Sequence, residues 1–203
     1  TTGHVFKTLH NCLISEEELF GDFAGETFMN FRIRSFDLQT DVPAYYAIYR
    51  EAVLNGTGSF ELEAPDEDEL SRRAHELLDN DFPFLVAQAD DGAGGPGILG
   101  FAYAGPHKAR PAYRFTVESS IYVAPHAKKR GVGGALLTAL VRRSEEMGFR
   151  QMVAVIGDAN NIGSISVHAK TGFEEVGRWH SVGFKKGRRL EVVLMQRELG
   201  EGA

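Results

Sequence analysis

A single mixed domain of α/β or α+β type, built on one sheet, is the fold class this sequence predicts. Three observations predict it. Apolar runs of strand length alternate with stretches of helical period along the chain. Its central segment passes from a strand through a glycine-rich turn into an amphipathic helix. The 203 residues, 43% hydrophobic, can bury one sizeable core, and no internal repeat divides them.

Taken in order, residues 1–25 mix apolar and acidic residues without a sustained period and read as an N-terminal extension, surface-attached or partly mobile. The domain is expected over 26–203. A first strand is expected over 28–36, with Phe31 and Ile33 alternating against Arg32 and Arg34. Asp41-Val42-Pro43 reads as a helix start, a carboxylate cap followed by a proline, with the helix running to about Leu54. A second, acidic helix over 66–78 buries Leu70, Ala74, Leu77 and Leu78. Strands at 84–89 and 98–104 flank a glycine-rich loop.

The central segment follows. Over 114–123, Phe115, Val117, Ile121 and Val123 share one strand face, and Thr116, Glu118 and Tyr122 share the other. After the turn, Leu136, Leu137, Leu140, Val141 and Met147 recur at helical spacing, and Gly148 is placed to end that helix. Residues 152–156 read as a strand covered on both faces. Asn160 and Asn161 open a short helix ending at Gly172, and strands near 173–176 and 190–196 finish the chain.

Charge and composition narrow the function. A net charge of −6 argues against general nucleic-acid binding, so no nucleic-acid partner is expected. No apolar run reaches membrane-spanning length and no leader is visible, so no membrane partner is expected either. The single Cys12 allows no intrachain disulfide and no Cys cluster for a metal, which points to a cytoplasmic protein with no metal. Positive charge gathers at 128–130 and 185–189. The second run reads as a solvated turn.

The first run opens the central helix as Lys128-Lys129-Arg130-Gly131-Val132-Gly133-Gly134. Glycines bring backbone amides close to a ligand, and a helix start adds partial positive charge, so the segment suits a diphosphate. No Gly-x4-Gly-Lys-Ser/Thr run is present, and Leu136 stands where a dinucleotide fingerprint needs its third small residue. On the loop alone, plain helix capping explains the glycines equally well.

The remaining pattern, Lys128-x-x-Gly131-x-Gly133, resembles the pyrophosphate loop of the GCN5-related N-acetyltransferases. Five separated blocks make the resemblance specific: 101–106 (FAYAGP), 112–118 (AYRFTVE), 152–158 (MVAVIGD), 182–185 (VGFK) and 193–197 (VLMQR). Over roughly 31–200 the chain is similar to the phosphinothricin N-acetyltransferases, a branch of that superfamily. The resemblance implies one mixed, mostly antiparallel central sheet flanked by helices. It implies acetyl-CoA as co-substrate and a small amino-acid-like amine, such as phosphinothricin, methionine sulfone or methionine sulfoximine. A homodimer is implied as well.

The resemblance also assigns residues. Glu118 is the expected general base and His168 a second acid/base candidate, although a strand carboxylate is ordinarily solvated or paired and a helical His ordinarily packed. Ala169 stands where a Glu is common. Backbone groups of Ile121, Tyr122 and Val123 are expected along the pantetheine arm, and Lys128, Lys129, Arg130, Gly131, Val132, Gly133 and Gly134 at the pyrophosphate. Lys128 replaces the more usual Arg or Gln. Asn161 resembles a pantetheine contact, while its chemistry also suits a helix cap.

Phe60, Tyr103, Lys108, Arg110 and Tyr113 are expected around the amine substrate, the cations suiting an anionic tetrahedral head. His107 replaces an aromatic before Lys108, and Val182 is expected to come from the partner subunit. Two other readings stand beside this one. The amine could belong to a protein or peptide, or the chain could be a non-catalytic coenzyme A sensor.

Overall fold

In the computed structural model, residues 30–90 and 97–201 are described. The extension at 1–25 and the glycine-rich loop at 91–96 lie outside them. The elements run β1 (Phe31–Ser35), α1 (Val42–Asn55), α2 (Glu67–Asp79), β2 (Phe84–Ala89), β3 (Ile98–Pro106), β4 (Thr116–Val123), α3 (Val132–Glu146), β5 (Gln151–Gly157), α4 (Ile162–Lys170), β6 (Glu174–Lys185) and β7 (Arg188–Glu198). This is the element order expected from the sequence. All seven strands form one sheet in the order β1-β2-β3-β4-β5-β7-β6. Only β4 and β5 run parallel; the other neighbours are antiparallel.

Side chains alternate across a strand, so each face has its own cover. On one face, Phe84, Phe101 and Tyr122 meet Tyr45 and Tyr49 of α1 in a chain of aromatic contacts at 4.7–5.3 Å. On the other face α3 lies so close that a Cβ on Gly100 would stand 3.2 Å from Leu136 Cδ1. Leu136, Leu137 and Leu140 are fully buried there, with Val117 and Met152. The stripe read from helical spacing is the stripe that packs. Gly148 sits at φ 85°, in the left-handed region, just past the end of α3.

Several local expectations are corrected. Asp66 caps α2 by accepting from the Glu69 amide at 2.8 Å, but Asp41 makes no such bond to α1. Its buried carboxylate instead receives the Arg34 guanidinium at 2.6 and 2.8 Å and the Asp37 amide at 2.8 Å. Burial raises the Asp41 pKa, and these bonds outweigh it and hold the carboxyl below its ordinary value. Strand β4 starts at Thr116, leaving Phe115 exposed against the Arg114 guanidinium, 4.4 Å from the ring centroid. In β5 Met152, Ala154, Ile156 and Gly157 are buried while Val153 and Val155 are half-buried, so the two faces are not covered equally.

Strands β6 and β7 are longer than the runs expected at 173–176 and 190–196, because charged and polar residues interrupt their apolar ones and a search for unbroken apolar runs passes over them. Nor is 185–189 a solvated turn throughout. Lys185 is 4% exposed and donates to Ser59 O at 2.7 Å, and Lys186 donates to Asn55 O at 2.8 Å.

Candidate active site

The site is a fork in the sheet. Parallel rungs join β4 to β5 at only three positions, Thr116 to Gln151, Val117 to Met152 and Glu118 to Val153. Beyond Glu118, β4 continues to Val123 and β5 to Gly157 with no further rung between them. Ser119 Oγ donates to Val153 O at 3.3 Å and closes the base of the fork. Past it, the backbone of Ile121, Tyr122 and Val123 pairs with β3 on one side only. The β5-facing side suits an extended, amide-bearing chain laid in like an added strand.

At the open end of the fork stands the start of α3. Its first backbone bond runs from the Ala135 amide to Gly131 O, so the amides of Val132, Gly133 and Gly134 come before the helical ladder begins. No side chain caps this end, and its first turn holds no acidic residue. Lys129 and Gly131 both have positive φ, 61° and 81°, which curls the loop. A Cβ on Gly131 or Gly134 would meet nothing within 4 Å, while one on Gly133 would stand 3.6 Å from Val123 Cγ2. The amides therefore border open space right beside the end of β4. Lys128, Lys129 and Arg130 are exposed around them, whereas the Val132 side chain is buried and offers only its amide. Such an end receives a phosphate oxygen.

Glu118 belongs to the opposite, α1/α2 face. It is 37% exposed, and Gly105 is its partner on β3. Ser120, Tyr122 and Tyr103 share its face and continue into the aromatic layer. Burial first, then the phenols of Tyr103 and Tyr49, push Tyr122 well up, and burial raises Tyr103 too. Both phenols therefore stay protonated and can donate. Nearby, Glu61 takes Arg73 at 2.7 Å through Oε1 while its buried Oε2 has no partner among the described residues.

The loop after β3 closes over this face. His107 Nδ1 lies 3.1 Å from Glu118 Oε2, the His107 ring meets Tyr113 edge-on at 5.8 Å, and Lys108 Nζ stands 5.5 Å from the Tyr113 ring centroid. Lys108 and Arg110 are exposed.

His168 lies on the α3/α4 face. It is 4% exposed, with Nδ1 bonded to Ser164 O at 2.8 Å and Nε2 3.4 Å from Ser119 Oγ. The carbonyl assigns the ring proton to Nδ1, which leaves Nε2 as an acceptor. Burial pushes the imidazole below its ordinary value, the Ser164 bond opposing it, so the ring is neutral. Asn161 caps α4 by accepting from the Ser164 amide at 3.3 Å, and its Nδ2 remains for another acceptor.

A sheet split at one parallel pair, with an uncapped helix start at its open end, offers an extended amide-bearing chain and a phosphate one continuous place to lie. The family model described as "Acetyltransferase (GNAT) family" matches residues 44–173. The chain belongs to this family. A phosphinothricin N-acetyltransferase from Alcaligenes faecalis is 46% identical over 162 residues, covering 80% of each chain. An L-methionine sulfoximine/L-methionine sulfone acetyltransferase from Pseudomonas paraeruginosa is 38% identical, covering 78% of this chain and 90% of its own. The crystal structure of a phosphinothricin acetyltransferase from Sinorhizobium meliloti, in complex with acetyl-CoA, superposes with a TM-score of 0.80. It is 42% identical and covers 86% of this chain and 91% of its own. The resemblance to the phosphinothricin N-acetyltransferases is thereby shown, and with it an acyltransferase of the GNAT fold.

Within this GNAT domain the remaining expected residues are more scattered. Phe60 lies across the end of the sheet, so close to β6 that a Cβ on Gly183 would stand 2.2 Å from Phe60 Cε1. Its loop is tied down by Thr57 Oγ1, which donates to Asp158 Oδ2 at 2.8 Å, and by Lys185. Val182 is exposed on the edge strand β6, as are Val176, Trp179 and Phe184. Reading by sequence missed the polar partners of the site. His107 was expected only as a changed pocket wall, and its contact with Glu118 follows from the β3–β4 register. Ser119 sat unremarked between Glu118 and the cofactor-side residues. Nothing in the sequence marks the Glu61–Arg73 pair.

Proposed function

We propose that this GNAT enzyme acetylates the α-amine of a small amino acid with an anionic or strongly polar tetrahedral head, of the phosphinothricin, methionine sulfone or methionine sulfoximine type, using acetyl-CoA in a ternary complex. One observation carries the reading. Glu118 stands at the last rung before the fork, on the face opposite the α3 amides, so that amine and acyl donor approach the same gap from opposite sides.

In this mechanism acetyl-CoA lies along the fork. The backbone of Ile121, Tyr122 and Val123 pairs with its pantetheine arm, with Asn161 Nδ2 as a further donor. The amides of Val132, Gly133 and Gly134, the curled Gly131, and the cations Lys128, Lys129 and Arg130 hold its diphosphate. Glu118 removes one ammonium proton, and the neutral nitrogen attacks the thioester carbonyl. The nitrogen gives its second proton to water as the C–S bond breaks, and the departing thiolate takes a proton from water. Backbone amides at the fork face the developing oxyanion. His168 stands beside the Ser119 hydroxyl on the thiolate side of the fork.

Phe60, Tyr103 and Tyr113 wall the amine site, and Lys108 and Arg110 grip the head group. The large apolar side chains of β6 support a homodimer in which the partner subunit supplies Val182. Among the described residues no helix is long and apolar enough to cross a membrane, and no cluster of His, Cys, Asp and Glu could hold a metal. A cytoplasmic, metal-independent enzyme fits the mechanism, which asks for neither membrane nor metal.

The test is thiol release from acetyl-CoA over a panel of phosphinothricin, methionine sulfone, methionine sulfoximine, ordinary amino acids and short peptides. Turnover concentrated on the tetrahedral-headed amino acids supports the proposal. Turnover on peptides alone transfers the function to protein N-acetylation, and coenzyme A binding without turnover leaves a sensor.

A further inference from the structure

The Glu118 carboxylate has one hydrogen-bond partner among the described residues, His107. We propose that His107 and Glu118 work as a pair, in which His107 donates from Nδ1 to Oε2 and holds the carboxylate with Oε1 toward the amine. The inference rests on Glu118 being the base.

The geometry is held from several directions. Strand β3 ends at Pro106 opposite Val117, and the His107 amide still reaches Thr116 O at 3.4 Å, so the ring starts from a fixed point on the strand edge. Gly105 faces Glu118 directly and has no side chain, so nothing on that rung competes for the carboxylate. A Cβ there would also crowd Leu77 Cδ2 at 3.3 Å. From its far side the imidazole is braced edge-on by Tyr113, which in turn carries Lys108 over its face. With Oε2 engaged by His107, Oε1 has no partner among the described residues and is the oxygen left for an incoming ammonium.

A carboxylate that has taken a proton must lose it before the next turnover. Nδ1–H of His107 donates to Oε2 and stays there, so the ammonium proton passes to Oε1: the N–H bond of the amine breaks and the O–H bond at Oε1 forms. That proton then leaves to water, which reaches the carboxyl because Glu118 is 37% exposed. No reactant beyond water is involved. Against the ring stand Glu118 from β4 and Tyr113 from its own loop, with Lys108 over the Tyr113 face. His107 is thus a positioning residue, and it links the head-group loop to the base.

The test compares His107→Ala, His107→Phe and Glu118→Gln with the wild type, using acetyl-CoA and the panel amine of highest kcat/KM. His107→Phe keeps the ring contact with Tyr113. Both His107 variants are expected to lose about tenfold or more in kcat, with the KM for the amine within about threefold of wild type. Added imidazole should restore kcat in His107→Ala in proportion to its concentration and leave His107→Phe unchanged. Wild-type kcat in His107→Phe, with Glu118→Gln inactive, overturns the pair and leaves the base standing. Loss in His107→Ala without imidazole rescue reduces His107 to packing and also overturns it. Full activity of Glu118→Gln, or turnover of no amine, removes the base reading and the pair together.

Discussion

Ser119 Oγ and His168 Nε2 meet at 3.4 Å, and this contact places His168 across the sheet from Glu118. Neighbours on a strand point to opposite faces, so a side chain held by Ser119 is on the other side of β4 from Glu118. The two titratable residues named from the sequence therefore do not form one dyad. In the proposed mechanism Glu118 serves the amine side and His168 lies on the acyl-donor side, with three strand rungs and a serine hydroxyl closing the gap between them.

His168 should make stability depend on pH. Burial, opposed by the Ser164 bond, holds its folded pKa below the ordinary 6.5. The unfolded chain then binds the proton first as pH falls, so stability is present above that value and is lost below it. Denaturant unfolding should show a larger loss of stability from about pH 7 to about pH 5 in the wild type than in His168→Gln. Equal losses would mean that the ring titrates freely in the folded state.

Asp41 offers a test of ion pair against cap. Serine caps helices as well as aspartate does, so a capping role predicts that Asp41→Ser is nearly silent. The bidentate Arg34 contact and the burial of Asp41 predict a loss of about 2 kcal/mol or more in equilibrium unfolding, because Arg34 is left half-buried without its anion.

Two glycines of one loop should respond with opposite sign. Gly131 has φ 81°, and its replacement by alanine should cost about 1 kcal/mol through left-handed strain. Gly134 lies in the first turn of α3 with open space around its Cβ position, and Gly134→Ala should raise stability by about 0.5 kcal/mol. Thermal unfolding of the two variants side by side measures both.

Gly183→Ala should act on the amine and spare the cofactor. The new Cβ would collide with the Phe60 ring, which is partly exposed and can swing away. The expected outcome is a severalfold higher KM for the amine with unchanged affinity for coenzyme A. Unchanged amine KM would take Phe60 out of the substrate wall.

How much of this was legible beforehand follows from the period of each signal. The α3 stripe of Leu136, Leu137 and Leu140 and the alternation around Glu118 are one-dimensional patterns, and they survived folding intact. The helix start at 131–134 could be read because glycine and positive φ are coupled locally. The fork could not, since where β4 and β5 part depends on pairing between residues more than thirty positions apart. The polar partners fall in the same class. Ser119 with His168 and Lys185 with Ser59 are long-range contacts between unremarkable neighbours, and His107 meets Glu118 only once the β3–β4 register is set. Strand β6 escaped because Arg178, His180 and Ser181 interrupt its exposed apolar side chains and leave no apolar run.

The central claim is that Glu118 is the base at the mouth of the fork. Its most direct test is kcat of Glu118→Gln at saturating acetyl-CoA, taken beside the dissociation constant of coenzyme A. Glutamine keeps the shape and removes the basic oxygen, so kcat should fall by about a hundredfold or more while coenzyme A affinity stays within about twofold. A Glu118→Gln enzyme that turns over at the wild-type rate would contradict the account.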